Sequence, residues 1–210
     1  MASGRSAGLI ARMLEEHGGE TLVTLDHDNT FFGDTTKPNG FLIEEIYRGG
    51  TVKISKHPFR TSLDLPSFGI KFDMAFIDAN HQHPWPTIDT LFAAKRMREG
   101  AVIIHHDLNL FMLQDRPIGV GPKYLYDQFP DALKTRSDAP PGNIFSLQLK
   151  PSAADFETRI KDSLALPWTL QTPLSADFLR RIETFLSMEY SESLGAHFRI
   201  CAAKFNHRPD

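Results

Sequence analysis

The sequence has little cysteine, no strong charge bias and no long hydrophobic run. Its single cysteine, Cys201, excludes a disulfide within the chain and favours a reducing compartment, so the cytoplasm is the expected location. Nowhere do about 18 apolar residues follow one another, and the N-terminus lacks the apolar core of a signal peptide, so we expect no membrane partner. A formal net charge of −3 gives no basic field, so we expect no nucleic-acid partner.

Two signatures of nucleotide binding and catalysis are also absent. The chain has no Walker phosphate-binding loop. It also lacks the compact His-Glu-x-x-His zinc motif. These absences count against P-loop nucleotidases and zincin-type zinc enzymes.

Short apolar runs alternate with helical patterns through the first half of the chain. We predict strands at 21–25, 51–54, 72–78 and 101–105, and helices at 5–17, 40–47 and 87–98. Such alternation is typical of βαβ crossovers, in which helices cover both faces of a parallel sheet. The sequence therefore predicts an α/β fold with a doubly wound, mostly parallel sheet.

The second half of the chain follows a different pattern. The segments 133–136 and 144–149 flank a Pro- and Gly-containing turn, and we expect them to pair as an antiparallel edge. An amphipathic helix is predicted at 176–190 and a last strand at 198–204. We accordingly predict one domain over residues 1–150 and a helical C-terminal extension, residues 151–210, packed on it.

Polar residues follow two neighbouring predicted strands. Asp78 and His81 come after the strand at 72–78, and His106 and Asp107 come after the strand at 101–105. In open α/β sheets, ligands bind just beyond the carboxyl ends of the strands. The sequence therefore predicts a site at this rim.

Oxygen ligands from two strand ends suit a hard divalent cation such as Mg²⁺. Asp78 and Asp107 are the expected ligands, supplemented by Asn109 or Asn80. Histidine ligands would instead favour Zn²⁺, Fe²⁺ or Mn²⁺. His81 is a candidate general base, with a structural role in capping the adjoining loop as the open alternative.

The N-terminal region offers a second group of candidates. Gly4 and Ser6 resemble the end of a glycine-rich loop that enters a helix, where backbone can approach a ligand closely. Asp26 and Asp28 end a strand, at a position where doubly wound nucleotide-binding folds place an acid for ribose hydroxyls. Solvated turn residues are the alternative interpretation of these two acids.

With these residues in place, the chain resembles class I S-adenosylmethionine-dependent methyltransferases of the O-methyltransferase-like group. The resemblance depends on Phe-Asp-Met-Ala-Phe-Ile-Asp-Ala-Asn-His at 72–81 and on Gly-Ala-Val-Ile-Ile-His-His-Asp at 100–107. It covers roughly residues 3–150 and implies a Rossmann-like fold. It also implies that the family's first strand would precede Ala2, so we expect the N-terminus of the domain to be truncated.

The resemblance implies roles for individual residues. Gly4, Ser6, Asp26 and Asp78 would bind S-adenosylmethionine, while Asp78, Asp107 and Asn109 would bind the divalent cation. Asp78 and His81 would be catalytic, with His81 accepting the proton of a substrate hydroxyl that attacks the sulfonium methyl group. The expected partner is a small-molecule acceptor.

Two alternatives stay open at this point. The expected lack of the first strand is compatible with a catalytically inactive interaction protein that keeps the fold, and an incomplete sheet edge would also favour a homodimer. The density of histidines is compatible with a metal-dependent hydrolase or lyase that uses the His and Asp cluster.

Overall fold

The computed structural model describes residues 2–113, 118–148 and 154–207. The chain divides into two compact units, residues 1–64 and residues 65–210. No helix within the described ranges is long and apolar enough to cross a lipid bilayer.

The first unit combines two helices with two small sheets. Its elements are α1 (Arg5–Glu16), β1 (Thr21–Asp26), β2 (Thr30–Phe31), β3 (Asp34–Pro38), α2 (Ile43–Ile46) and β4 (Lys53–Pro58). Strands β1 and β4 pair in parallel, while β2 and β3 form an antiparallel hairpin. Helix α1 packs closely because its buried face is made of small residues, and a Cβ at Gly8 would lie 2.8 Å from the side chain of Ile46.

The second unit is built on a four-stranded sheet with the order β5-β6-β8-β7. Its elements are β5 (Phe72–Ile77), α3 (Trp85–Ala94), β6 (Met97–His105), α4 (Gly121–Gln128), β7 (Lys134–Arg136), β8 (Phe145–Gln148), α5 (Ala154–Leu164), α6 (Ala176–Glu189) and α7 (Glu192–Phe205). Strands β5 and β6 are parallel, whereas β8 runs antiparallel to both β6 and β7. The expected α/β fold with an antiparallel C-terminal edge and a helical C-terminal part is confirmed.

The core of the second unit is centred on α3, whose residues from Pro86 to Ala94 are all buried. Ile88 and Leu91 are fully buried, and the ring of Phe92 stacks on Phe185 of α6 with 3.8 Å between centroids. A helix that is buried on all sides belongs in an interior. Burial of each such side chain contributes roughly 1.5–3 kcal/mol to folding. This packing fixes the turn before α3, which carries His81.

Parts of the predicted secondary structure are wrong. The helix predicted at 87–98 ends at Ala94, and residues 97 and 98 belong to β6, because Met97 pairs with Phe72 of β5. Residues 198–204 lie in α7 and do not form a strand. The N-terminus of α7 is capped by Ser191, whose side chain accepts a hydrogen bond from the backbone amide of Leu194 at 3.1 Å.

Candidate active site

Carboxylates and imidazoles cluster where β5 and β6 end. Asp78 directly follows β5, and His106 and Asp107 follow β6. The backbone amide of His106 donates to the carbonyl of Ile77 at 3.0 Å, extending the parallel pairing past the last strand residues. Because parallel strands end at the same edge of a sheet, the polar side chains that follow them meet there. The structure thus brings together the residues of the predicted rim.

His81 joins this cluster from the turn between β5 and α3. Its Nε2 lies 3.2 Å from Oδ2 of Asp107 and 3.6 Å from Oδ1 of Asp78. The Nδ1 atom of His106 lies 2.9 Å from Oδ1 of Asp107 and 3.8 Å from Oδ1 of Asp78. Two imidazole nitrogens therefore stand between two carboxylates.

The electrostatics of the cluster favour the ionised form of Asp78. The His81 imidazole holds the pKa of Asp78 below its ordinary value against the opposing effect of partial burial, and His106 acts in the same direction. The side chains of His81 and Asp107 are 20% and 22% exposed, so a small ligand can reach them while bulk water is largely excluded. A partly shielded site that contains an ionised carboxylate results.

The buried polar atoms of this site fit a bound cation or an exchangeable proton. Nε2 of His81 and Nδ1 of His106 are buried, and neither makes a hydrogen bond of good geometry within the described part of the chain. Ligand atoms of Asp78, His81 and Asp107 all lie within 4.8 Å of one another. Two carboxylates and one imidazole are a plausible ligand set for a divalent metal.

Asn109 and Asn80, the supplementary ligands considered from the sequence, are engaged elsewhere. The side-chain amide of Asn109 donates to the carbonyl of Pro141 at 3.0 Å, and its oxygen accepts from Arg136 at 3.3 Å. The side-chain oxygen of Asn80 accepts the backbone amide of Gln82 at 2.9 Å and closes a turn.

Asn143 is a site residue that the sequence analysis missed. It lies between β7 and β8, and its side-chain amide donates to Oδ1 of Asp107 at 2.7 Å. The only available signal was its position directly after the predicted turn, and that position does not reveal where the turn folds. Its contact with Asp107 depends on the tertiary structure.

Two further histidines near the rim are structural. His83 and His105 are fully buried, and burial lowers the pKa of each to about 3. The Nε2 atom of His105 lies 2.9 Å from the hydroxyl of Thr90, and its ring stacks on Phe145. His83 packs edge-to-face on Tyr124. Both remain neutral under ordinary conditions and belong to the core.

In the first unit, Asp26 lies at the carboxyl end of β1. Its Oδ2 accepts the backbone amide of Ala2 at 3.0 Å, and its Oδ1 accepts that of Asp28 at 3.1 Å. Burial acts to raise the pKa of Asp26, but these hydrogen bonds help to outweigh burial, and the pKa lies below its ordinary value. Asp26 is therefore a fixed, ionised acceptor at a strand end.

Gly4 and Ser6 stand at the N-terminus of α1 in the same unit. Gly4 has a φ of 86° and is buried, and a Cβ there would lie 2.6 Å from Cα of Gly40. Only glycine fits this left-handed, crowded position. Ser6 is exposed in the first turn of the helix.

A family model described as a methyltransferase domain matches residues 1–108 of the 210. This match includes Asp26, Asp78, His81 and Asp107, and it confirms the resemblance drawn from the sequence. No curated protein matches the chain significantly.

Two solved structures are similar to the chain at low identity. One is the O-methyltransferase TomG from Streptomyces achromogenes, which is involved in tomaymycin synthesis and was solved with S-adenosylmethionine. TomG is 15% identical to this chain, and the match covers 68% of this chain and 78% of TomG, with a TM-score of 0.42. An O-methyltransferase from Bacillus cereus, solved with S-adenosylhomocysteine, is 14% identical over 68% of this chain and 80% of its own, with a TM-score of 0.43.

Proposed function

The chain belongs to the methyltransferase-domain family, and we propose that it transfers the sulfonium methyl group of S-adenosylmethionine to a hydroxyl oxygen of a small molecule. Membership places it among the S-adenosylmethionine-dependent methyltransferases. The choice of a hydroxyl acceptor is supported by one observation above all, the position of the His81 imidazole between two carboxylates, 3.2 and 3.6 Å away.

His81 would act as the general base of this reaction. The proton of the acceptor hydroxyl passes to Nε2 of His81, and the oxygen forms a bond to the methyl carbon. The carbon–sulfur bond breaks with its electron pair kept by sulfur, so that S-adenosylhomocysteine is the leaving group. Asp107 and Asp78 stabilise the positive imidazolium that forms, because both lie close to the protonated nitrogen.

Asp78 and Asp107 would also hold a divalent cation, with Mg²⁺ expected from their oxygen ligands. The buried Nε2 of His81, which lies beside both carboxylates without a hydrogen bond of good geometry, is compatible with such a site. A cation bound there would lower the pKa of a coordinated hydroxyl and orient it. Because the side-chain oxygen of Asn109 accepts a hydrogen bond from the guanidinium of Arg136, Asn109 has no part in this proposal.

In the first unit, we propose that the carboxylate of Asp26 accepts hydrogen bonds from the ribose hydroxyls of the cofactor. The carboxylate of Asp26 is held at the carboxyl end of β1 by the backbone amides of Ala2 and Asp28, where doubly wound nucleotide-binding folds place the acid for ribose hydroxyls. Gly4 supports this assignment because its missing side chain allows the loop before α1 to pack on Gly40. Ser6 is the further candidate at this helix N-terminus.

Calorimetric titration of S-adenosylhomocysteine, with and without Mg²⁺, tests the proposal. The substitutions Asp26→Asn and Asp78→Asn should each weaken the binding of S-adenosylhomocysteine or abolish methyl transfer. Asp28→Asn is the control for Asp26→Asn, because Asp28 is an exposed neighbour of Asp26. Asp73→Asn is the control for Asp78→Asn, because Asp73 is an exposed acid of β5, the strand that Asp78 follows. A folded wild-type protein that binds no cofactor under either condition would refute methyl transfer, and tightly bound zinc or iron in that protein would favour a hydrolase.

A further inference from the structure

Asn143 makes three contacts with the segment that follows β6. Its backbone carbonyl accepts the amide of Leu108 at 3.0 Å, and its side-chain oxygen accepts the amide of Asn109 at 2.8 Å. Its side-chain amide donates to Oδ1 of Asp107 at 2.7 Å. Asn143 thus forms hydrogen bonds with three consecutive residues, 107–109, through its backbone carbonyl and through both the oxygen and the nitrogen of its side chain.

The segment needs such support because Asp107 has an unfavourable backbone conformation. Its φ is 62°, in the left-handed region that side chains other than glycine rarely occupy. Residues in this region persist only when surrounding contacts hold them, and they are found preferentially at functional sites. The bonds from Leu108 and Asn109 to Asn143 hold the backbone directly after Asp107.

The side-chain bond also determines which carboxylate oxygen faces which partner. Asn143 donates to Oδ1 of Asp107, the oxygen that lies near His106, while Oδ2 is the one 3.2 Å from His81. Without that donor the carboxylate could rotate about its Cβ–Cγ bond. The oxygen presented to His81 would then no longer be fixed.

The turn that carries Asn143 is itself tied down. Arg136 donates from Nε to the carbonyl of Gly142 at 2.7 Å and from Nη2 to Asn109 at 3.3 Å. Asn109 in turn donates to Pro141. Asn143 is therefore a donor held in place by β7 and by the segment after β6, and not a mobile side chain that happens to lie near an acid.

We propose that Asn143 is the positioning residue of Asp107, fixing both the left-handed backbone and the carboxylate oxygen that the site uses. The proposal rests on the assigned roles of His81 and Asp107 in methyl transfer. Outer-shell partners of metal-ligating and catalytic groups commonly change affinity or activity by 10–100-fold when they are lost. Asn143 would be such a partner, supplied from a distant turn.

The test compares Asn143→Ala with Arg136→Met. Arg136→Met removes bonds of the same turn without touching the Asp107 carboxylate, so it reports the general cost of loosening the turn. Two-dimensional ¹⁵N spectra of the histidine side chains at pH 7 are the main readout. Asn143→Ala should move the signals of His81 and His106, and Arg136→Met should leave them near their wild-type positions.

Mn²⁺ binding, measured by electron paramagnetic resonance, is the second readout. We expect Asn143→Ala to raise the Kd for Mn²⁺ about tenfold, with little change in the Kd for S-adenosylhomocysteine. Wild-type histidine signals in a folded Asn143→Ala protein, or equal shifts in both variants, would overturn the proposal. The imidazole signals decide the proposal about Asn143 whether or not the wild-type protein binds Mn²⁺. Titration of the wild-type protein with S-adenosylhomocysteine separately tests the proposed methyl transfer.

Discussion

The imidazole of His81 lies 3.2 Å from the carboxylate of Asp107, although the two residues come from the ends of different strands. This pair is the centre of the proposed chemistry, because a base beside an acid keeps its orientation and is stabilised when it takes up a proton. The parallel pairing of β5 and β6 is what brings the two residues together.

Replacing His81 with Gln should remove the general base and keep the size of the side chain. We expect kcat to fall by about 10²–10⁴-fold, while the Kd for S-adenosylhomocysteine changes little. Steady-state kinetics with an acceptor found by screening, together with calorimetry, would measure both. His106→Gln is the comparison, because His106 belongs to the same cluster, with its Nδ1 2.9 Å from Oδ1 of Asp107, but is not the proposed base. Equal losses in the two variants would contradict a special role for His81.

The two buried histidines make the stability of the fold depend on pH. His83 and His105 have a pKa of about 3 in the folded protein because burial disfavours their charged form. The unfolded chain has the ordinary value near 6.5, so below that pH it binds more protons than the folded chain does. The free energy of unfolding should therefore fall as the pH drops from about 6.5 towards 3.

We expect a loss of roughly 1 kcal/mol per histidine between pH 7.5 and pH 5.5, measured by urea denaturation at both values. His83→Phe should roughly halve this dependence, since a phenyl ring can keep the edge-to-face packing on Tyr124. His17→Asn, at an exposed position, is the control and should not alter it. A pH dependence unchanged in His83→Phe would show that other groups cause it.

The sequence predicted those parts of the fold in which local patterning and tertiary structure agree. Strand β5 and the later part of β6 are apolar runs, as buried parallel strands are, and each leads directly into polar residues. The antiparallel pairing of β7 with β8 followed from the Pro- and Gly-containing turn between them. The cluster of Asp78, His81 and Asp107 could be predicted for the same reason, because strand ends specify where side chains meet.

The parts that were missed depend on contacts that no local pattern contains. Residues 198–204 form a short apolar run that suits a strand as well as a helix, and the cap at Ser191 lies outside it. The first part of β6 is polar, at Arg98 and Glu99, and is recognisable only through its pairing with β5. Asn143 reaches Asp107 through the folding of a turn, which spacing alone does not reveal.

The last prediction concerns Gly4 and uses Gly18 as its matched control. Both glycines have a left-handed φ, 86° at Gly4 and 75° at Gly18, so alanine costs about 1 kcal/mol at either position through the backbone. A Cβ at Gly4 would also lie 2.6 Å from Cα of Gly40, whereas a Cβ at Gly18 meets nothing within 4 Å. Gly4→Ala should therefore lower the free energy of unfolding by more than Gly18→Ala, by about 1–3 kcal/mol for the overpacking. Gly4→Ala should also weaken S-adenosylhomocysteine binding, measured by calorimetry, whereas Gly18→Ala should not. Equal effects of the two substitutions on stability and on binding would show that the close contact between Gly4 and Gly40 contributes to neither property.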